Sequence, residues 1–244
     1  MYQDVAELRA FYSRPLGHAV RRLLGHRIRA RWRNVQGQTV IGLGFAAPYL
    51  GTYRDEAARI GAVMPASQGA LAWPREGNVR CALVDEINLP LPDNSVDRLL
   101  GVHCLEGSES TRRMLREMWR ILSPDGRLLL IVPNRSSVWA RADKTPFGHG
   151  RPYSKGQLEN ILAEAMFTPE HWSWALHVPP MEHNLVLKSI VTIERLGARI
   201  WPAIGGIILV EARKELIAPS IQGQRARAVR GLVTVRGLSR EKSS

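Results

Sequence analysis

Cysteine is nearly absent, with Cys81 and Cys104 the two in 244 residues. Each sits among apolar neighbours, which predicts buried thiols rather than a disulfide framework or a metal site. That usage fits a reducing cytoplasm. A long hydrophobic run is missing as well. The longest, Ile204-Gly205-Gly206-Ile207-Ile208-Leu209-Val210, falls far short of the roughly 20 residues that a spanning helix needs. The opening Met1-Tyr2-Gln3-Asp4-Val5-Ala6-Glu7 is acidic and has no apolar stretch, so it does not read as a secretory signal. Carboxylates are scarce: 22 Asp and Glu face 34 Lys and Arg, for a net charge of +12. No internal repeat is visible. With 45% hydrophobic residues the chain can bury a full core, which excludes bulk disorder and suits one α/β domain with additions.

The positive charge is clustered. Arg21, Arg22, Arg27, Arg29, Arg31 and Arg33 form one group, and Arg225, Arg227, Arg230, Arg236, Arg240 and Lys242 the other. Such groups can hold a phosphate backbone, as of RNA, or an acidic protein partner. A solvated basic face is the plainer reading, because no aromatic residues interleave with the arginines.

The chain is organised around residues 39–50. Val40 and Ile41 are β-branched, as a buried strand prefers. Gly42-Leu43-Gly44 then permits a sharp turn against which a ligand can lie. A strand, a Gly-x-Gly turn and a following helix open a nucleotide-binding α/β unit, although a tight turn that binds nothing has the same sequence. Residues 5–33 read as helical, broken at Pro15, with Val5, Leu8, Phe11 and Tyr12 on one face and Val20, Leu23, Leu24 and Ile28 on the face of a second helix over 16–32. Further strands are expected at 61–65, 79–84, 96–104, 127–132 and 204–212. Helices are expected at 53–61, 69–73, 110–122, 154–167 and 185–196. Ser123-Pro124-Asp125-Gly126 reads as a turn, and the stretch with Trp172 and Trp174 as irregular. The almost unbroken Leu, Ile and Val of 127–132 predicts burial on both faces, as in a parallel sheet. The alternation predicts a doubly wound, mostly parallel α/β sheet with N-terminal helices. The expected organisation is a helical extension over 1–36, an α/β domain over 37–217 and a basic tail over 218–244. In such a sheet, chemistry belongs after the carboxyl ends of the strands.

The most specific text is Leu89-Pro90-Leu91-Pro92-Asp93-Asn94-Ser95-Val96-Asp97-Arg98, with Asp85 just before it. His103-Cys104-Leu105-Glu106 and the run from Leu115 through Trp119 to Gly126 accompany it. Together with Gly42-x-Gly44, these resemble class I S-adenosylmethionine-dependent methyltransferases of the type 11 group, over roughly residues 38–170. The resemblance implies the Rossmann-like fold of that class, S-adenosylmethionine as cofactor and methyl transfer to an unidentified acceptor. It places the methionine part of the cofactor over the glycine loop of Gly42, Leu43 and Gly44, and counts Phe45, Met64 and His103 among the cofactor-binding residues. Adenine falls beside Asp85 and Glu86, and His103 stands at the mouth of the site. The loop 145–154 joins strand five to the next helix, and a loop of that length is more often functional than idle. Phe147, His149, Arg151 and Tyr153 are its candidates for substrate contact. His103 and His149 are the candidates for proton transfer, and no metal ligands are expected.

Two carboxylates that the family carries are missing here. Val40 stands two places before the first glycine, and Met64-Pro65-Ala66-Ser67-Gln68 offers no acid after strand two. Ser67 or Gln68 would replace the second with a neutral hydrogen bond. Losing both charge-assisted bonds weakens cofactor binding by about 10²–10⁴-fold where nothing compensates. The alternative function is therefore a methyltransferase-fold partner or scaffold without turnover.

Overall fold

The computed structural model describes residues 2–183, 186 and 189–216. The tail at 218–244, with the second arginine cluster, lies outside the described residues. Helices α1 (Val5–Tyr12) and α2 (Pro15–Arg31) precede β1 (Thr39–Gly44), the one-turn α3 (Ala47–Leu50), β2 (Arg59–Pro65), β3 (Cys81–Val84) and β4 (Val96–Val102). Then come α4 (Thr111–Ile121), β5 (Leu122–Pro133), α5 (Lys155–Glu164), β6 (Phe167–Ala175), α6 (Ile190–Ile200) and β7 (Ile207–Lys214). Among the described residues the strands form one sheet in the order β3-β2-β1-β4-β5-β7-β6. The first five run parallel, and β7 pairs antiparallel with both β5 and β6. The order reverses between β1 and β4, which opens a ligand crevice at their carboxyl ends.

Alternation along the strands sorts the core into two layers. Val40, Leu100, Leu129 and Ile131 point to one face, where Val20, Leu24 and Ile28 of α2 and Leu8 and Phe11 of α1 cover them. Ile41, Leu99, Leu128 and Leu130 point to the other, against Met114, Leu115 and Met118 of α4 and Leu158 and Leu162 of α5. Residues 1–36 thus share their core with the sheet. Val40 is fully buried inside that first layer, where a lone carboxylate would be costly. This accounts for the apolar residue at that place.

Several sequence expectations need correction. Residues 53–61 are not a helix: a single 3₁₀ turn, Gly51–Tyr53, leads into β2, which begins at Arg59. The crossover is carried by α3, in line with the helix-promoting Ala and Leu around Pro48 at its first turn. Residues 69–73 form no helix, since Gly69 has φ +83° and Trp73 hydrogen-bonds across to Arg80. Trp172 and Trp174 lie in β6, their side chains half-buried on the pleat. Ser123 to Gly126 belong to β5 but bulge. Val96 pairs with Leu122 and Arg98 with Arg127, so the turn-forming residues loop out between two paired positions. The helix expected at 185–196 is α6; Leu185 itself lies outside the described residues. Cys81 is half-buried and Cys104 buried, both free. No helix among the described residues is long and apolar enough to cross a membrane.

The loop between β3 and β4 is pinned by α4. Arg120 donates to the carbonyls of Leu89 and Leu91, to Asp93 and to Glu117, while Glu117 accepts from the Leu89 N–H. Arg120→Met removes the guanidinium donors from both carbonyls, the Leu89 carbonyl keeping the Leu91 N–H, and leaves Glu117 and Asp93 without their cation; denaturant unfolding should read a loss of about 2–4 kcal/mol. Arg120→Lys should recover little of it, because an ammonium cannot reproduce the fork. Full recovery with lysine would contradict the assignment.

Candidate functional site

The glycine turn ends β1 under cover. Gly44 has φ +74°, and a Cβ there would stand 2.4 Å from the Val102 carbonyl oxygen, so the turn is closed against β4 by the chain's own backbone. Above it lies α1. Leu8, Phe11 and Tyr12 are buried, each contributing about 1.5–3 kcal/mol of burial. The Tyr12 ring stacks on Phe45 at 5.2 Å, and the Tyr49 hydroxyl reaches the Tyr12 hydroxyl.

The Tyr12 hydroxyl meets His103. Nε2 of His103 lies 2.9 Å from it and Nδ1 lies 3.0 Å from Oε1 of Glu106. His103 follows β4 with φ +50°. It is held in that left-handed conformation by Gln68, whose Nε2 donates to the His103 carbonyl. Gln68 thus serves the backbone of the next strand, and Ser67 is the residue after β2 that faces open space. A carboxylate behind one ring nitrogen fixes the imidazole and leaves the other nitrogen to exchange a proton. Sequence reading named His103 but missed Glu106 and Tyr12. The spacing of three residues between His103 and Glu106 was the available signal; nothing in the sequence places Tyr12 there.

A cavity of about 10 Å³ remains between Leu8, Gln68, His103, Glu106, His149 and Gly150. Three buried acceptors around it, Oε1 of Gln3, Oε1 of Gln68 and Oε2 of Glu106, have no hydrogen-bond partner in the protein. Such atoms call for a donor, and a carboxylate with two amide oxygens suits a cationic one.

Asp85 and Glu86 line an open groove of about 530 Å³ with Pro65, Ala66, Ser67 and Ile87. Asp85 Oδ1 accepts from the Ile87 N–H, which shapes the loop, and Glu86 accepts from the Ser108 hydroxyl. A second groove, of about 750 Å³, meets the first at Glu109 and Ser110 and carries Arg113, Arg135, Arg151 and Tyr153.

The residues expected at the site therefore divide. His103 and Phe147 come together, ring centroids 4.9 Å apart. Phe147 also packs edge-on against Phe11 and Trp139, which makes it a core residue. His149 borders the small cavity while its Nε2 is bound to the Asp143 carbonyl. Arg151 faces the second groove. Tyr153 is anchored through its hydroxyl to the Leu105 carbonyl, a structural role. Leu43 is fully buried in the layer below, and Met64 lies under the turn with Phe45. Gly150 has φ +75° and a Cβ there would strike the Glu106 carbonyl oxygen at 2.5 Å, so the loop 146–151 packs directly on Glu106.

Residues 40–130 match the family model described as methyltransferase domain. A probable S-adenosylmethionine-dependent methyltransferase of Mycobacterium tuberculosis is 27% identical over 121 residues, 47% of this chain and 44% of the relative. The demethylmenaquinone methyltransferase of Corynebacterium efficiens is 33% identical over 131 residues, 52% and 56% of the two chains. This chain thus aligns with about half the length of the curated relatives it matches. Among solved structures, a chain from the complex of the Haloferax volcanii Trm112 methyltransferase activator with a methyltransferase superposes with a TM-score of 0.61 at 17% identity, covering 87% of this chain and 97% of that one. An S-adenosylmethionine-dependent methyltransferase of Archaeoglobus fulgidus gives 0.57 at 17% identity, covering 80% and 94%.

All five tyrosines of the chain lie in environments that favour the neutral phenol. Burial raises Tyr2, Tyr12, Tyr49 and Tyr153 above the ordinary value and pushes Tyr53 up to about 12. A raised folded-state value means that stability is intact below the unfolded value of about 10 and falls as pH climbs beyond it, by about 1.4 kcal/mol per pH unit for each tyrosine. Tyrosinate absorbance should accordingly stay low past pH 10 and appear together with loss of helical circular dichroism. A graded rise centred near pH 10 with the fold intact would contradict these burials.

Proposed function

Residues 40–130 carry a class I S-adenosylmethionine-dependent methyltransferase domain, and from that premise we propose that the chain transfers a methyl group, with His103 as the base that receives the acceptor's proton. The observation that carries this reading is the buried Glu106–His103 pair at the carboxyl end of β4, beside the groove of Asp85 and Glu86. S-adenosylmethionine, the cofactor of that family, supplies an electrophilic methyl group on a sulfonium.

The residues fit the two ends of such a cofactor differently. The open groove suits adenosine: Asp85 and Glu86 present acceptors, Ser67 a hydroxyl, and Val84 and Ile87 an apolar wall. The acceptor atoms of Gln68 and Glu106 suit the ammonium of the methionine end. That end lies under α1, where Leu8 and Tyr12 fill the space beside the glycine turn. Withdrawal of α1 exposes it and frees His103 Nε2 from the Tyr12 hydroxyl. Glu106 then holds the imidazole through Nδ1 while Nε2 faces the acceptor. Arg113, Arg135 and Arg151 line the approach beyond Glu109. The substrate candidates of the loop reduce in this reading to Arg151 as a contact residue and His149 as a border residue.

Calorimetric titration with S-adenosylhomocysteine tests the reading. Micromolar binding is expected, weakened at least about tenfold by Asp85→Ala, the value of one hydrogen bond to a charged group. Tyr12→Phe, which removes only the hydroxyl that α1 places on His103, should tighten binding by about two- to tenfold, the net worth of one hydrogen bond. Absence of binding up to millimolar ligand in the wild type and in Tyr12→Phe would favour the scaffold reading, which the missing carboxylates at Val40 and after β2 motivate.

A further inference from the structure

A large cavity among the described residues lies apart from both grooves of the proposed methyl-transfer site. It measures about 950 Å³ and lies between α1, the start of α2, the segment after α3 and the loop joining β2 to β3. Arg9, His18, Arg21, Arg54 and Arg75 line it, drawn from four separate segments, and no carboxylate does. Several arginines elsewhere are paired, among them Arg27 with Glu194, Arg29 with Glu56, Arg31 with Glu211 and Arg120 with Glu117 and Asp93. Among the described residues Arg9, Arg21, Arg54 and Arg75 appear in no such pair. Four guanidinium groups turned into one concavity repel one another unless an anion joins them.

The floor of this cavity is apolar. Phe45, Tyr12 and Met64 are buried at its base, and Trp73 forms a half-buried side wall. A flat apolar body fits against these rings, and a charged end fits the guanidinium forks, which hold phosphate through paired N–H donors. The volume lies in the range of a small-ligand site.

We propose that this cavity binds a nucleoside phosphate: a planar base against Trp73 and Phe45 and a di- or triphosphate among Arg21, Arg54 and Arg75. A nucleic-acid strand is the less favoured occupant. A strand needs cations spaced along a track, whereas these converge. Half of the cluster that the sequence suggests around α2 is spent, because Arg27, Arg29 and Arg31 are bound to carboxylates. The Asp85 groove is the wrong place for a phosphate, since Asp85, Glu86 and Glu109 line it.

The site exists with α1 packed in place, whether or not the chain transfers a methyl group, and it shares Tyr12, Phe45 and Met64 with the region proposed for the methionine end. The test is calorimetric titration of the full chain with ADP, pyrophosphate and adenosine. ADP should bind at least about tenfold more tightly than either fragment, as joined contacts add. Arg54→Ala/Arg75→Ala, two exposed positions, should weaken ADP by about tenfold or more, the loss of charge-assisted bonds. Asp85→Ala should leave ADP affinity within about twofold, since additive sites do not couple. No ADP binding up to millimolar concentration overturns the proposal. So does ADP binding that Asp85→Ala abolishes and the arginine pair does not, which would place the nucleotide in the adenosine groove. Pyrophosphate binding as tightly as ADP removes the base from the site. A single-stranded oligonucleotide that binds through Arg54 and Arg75 where ADP does not would make the surface a nucleic-acid contact and refute the small-ligand assignment.

Discussion

The packing of α1 on the turn after β1 is the constraint from which the rest of the site follows. Its apolar face has to be buried somewhere, and a two-residue link keeps it on the layer that α2 itself covers. Leu8, Phe11 and Tyr12 therefore come to rest on Phe45 and Phe147. Once there, Tyr12 brings a hydroxyl into a dry interior, where it needs a partner, and His103 provides one. The Glu106–His103–Tyr12 chain thus satisfies the buried hydroxyl in this conformation, and in the function proposed above Glu106 and His103 move a proton once the helix has left. The same atoms serve both states.

Charge divides the surface around this point. On one side the Asp85 groove is acidic and suits a cofactor with donor groups. On the other, four unpaired arginines open away from it. The loop after β3 lines the first and the segment after β1 the second, and the connection from β2 to β3 lines both.

Much of the sheet was legible because parallel, twice-covered strands have to be apolar without interruption. The runs 99–102 and 128–132 carry that signature, and α5 starts close to the expected position 154, with Ser154 and Gln157 forming a capping box at its head. The expected helices at 53–61 and 69–73 failed for local reasons: Arg59 pairs with Thr39 in the sheet, and the loop 69–80 is shaped by a glycine at positive φ and a hydrogen bond from Arg80 to Trp73. The tryptophans of β6 read as irregular because one face of that edge strand is exposed, which blurs the alternation. At the site, glycine spacing, Asp85 and His103 could be read from text. Glu106 as the partner of His103 was signalled only by its spacing of three residues, and the cover that α1 places over the turn was not signalled at all. An amphipathic pattern says that a helix buries a face and not against what. Val40 reads as a missing carboxylate in sequence and as a core residue in three dimensions.

In the function proposed above, α1 and the methionine end of the cofactor compete for one place. Amide hydrogen exchange of the full chain, with and without saturating S-adenosylmethionine, tests it most directly. The account predicts that amides of residues 5–12 lose protection when the ligand is present, while those of residues 84–88 gain it. Gain of protection in both segments would mean that α1 closes over the ligand instead of yielding to it, and would contradict the account.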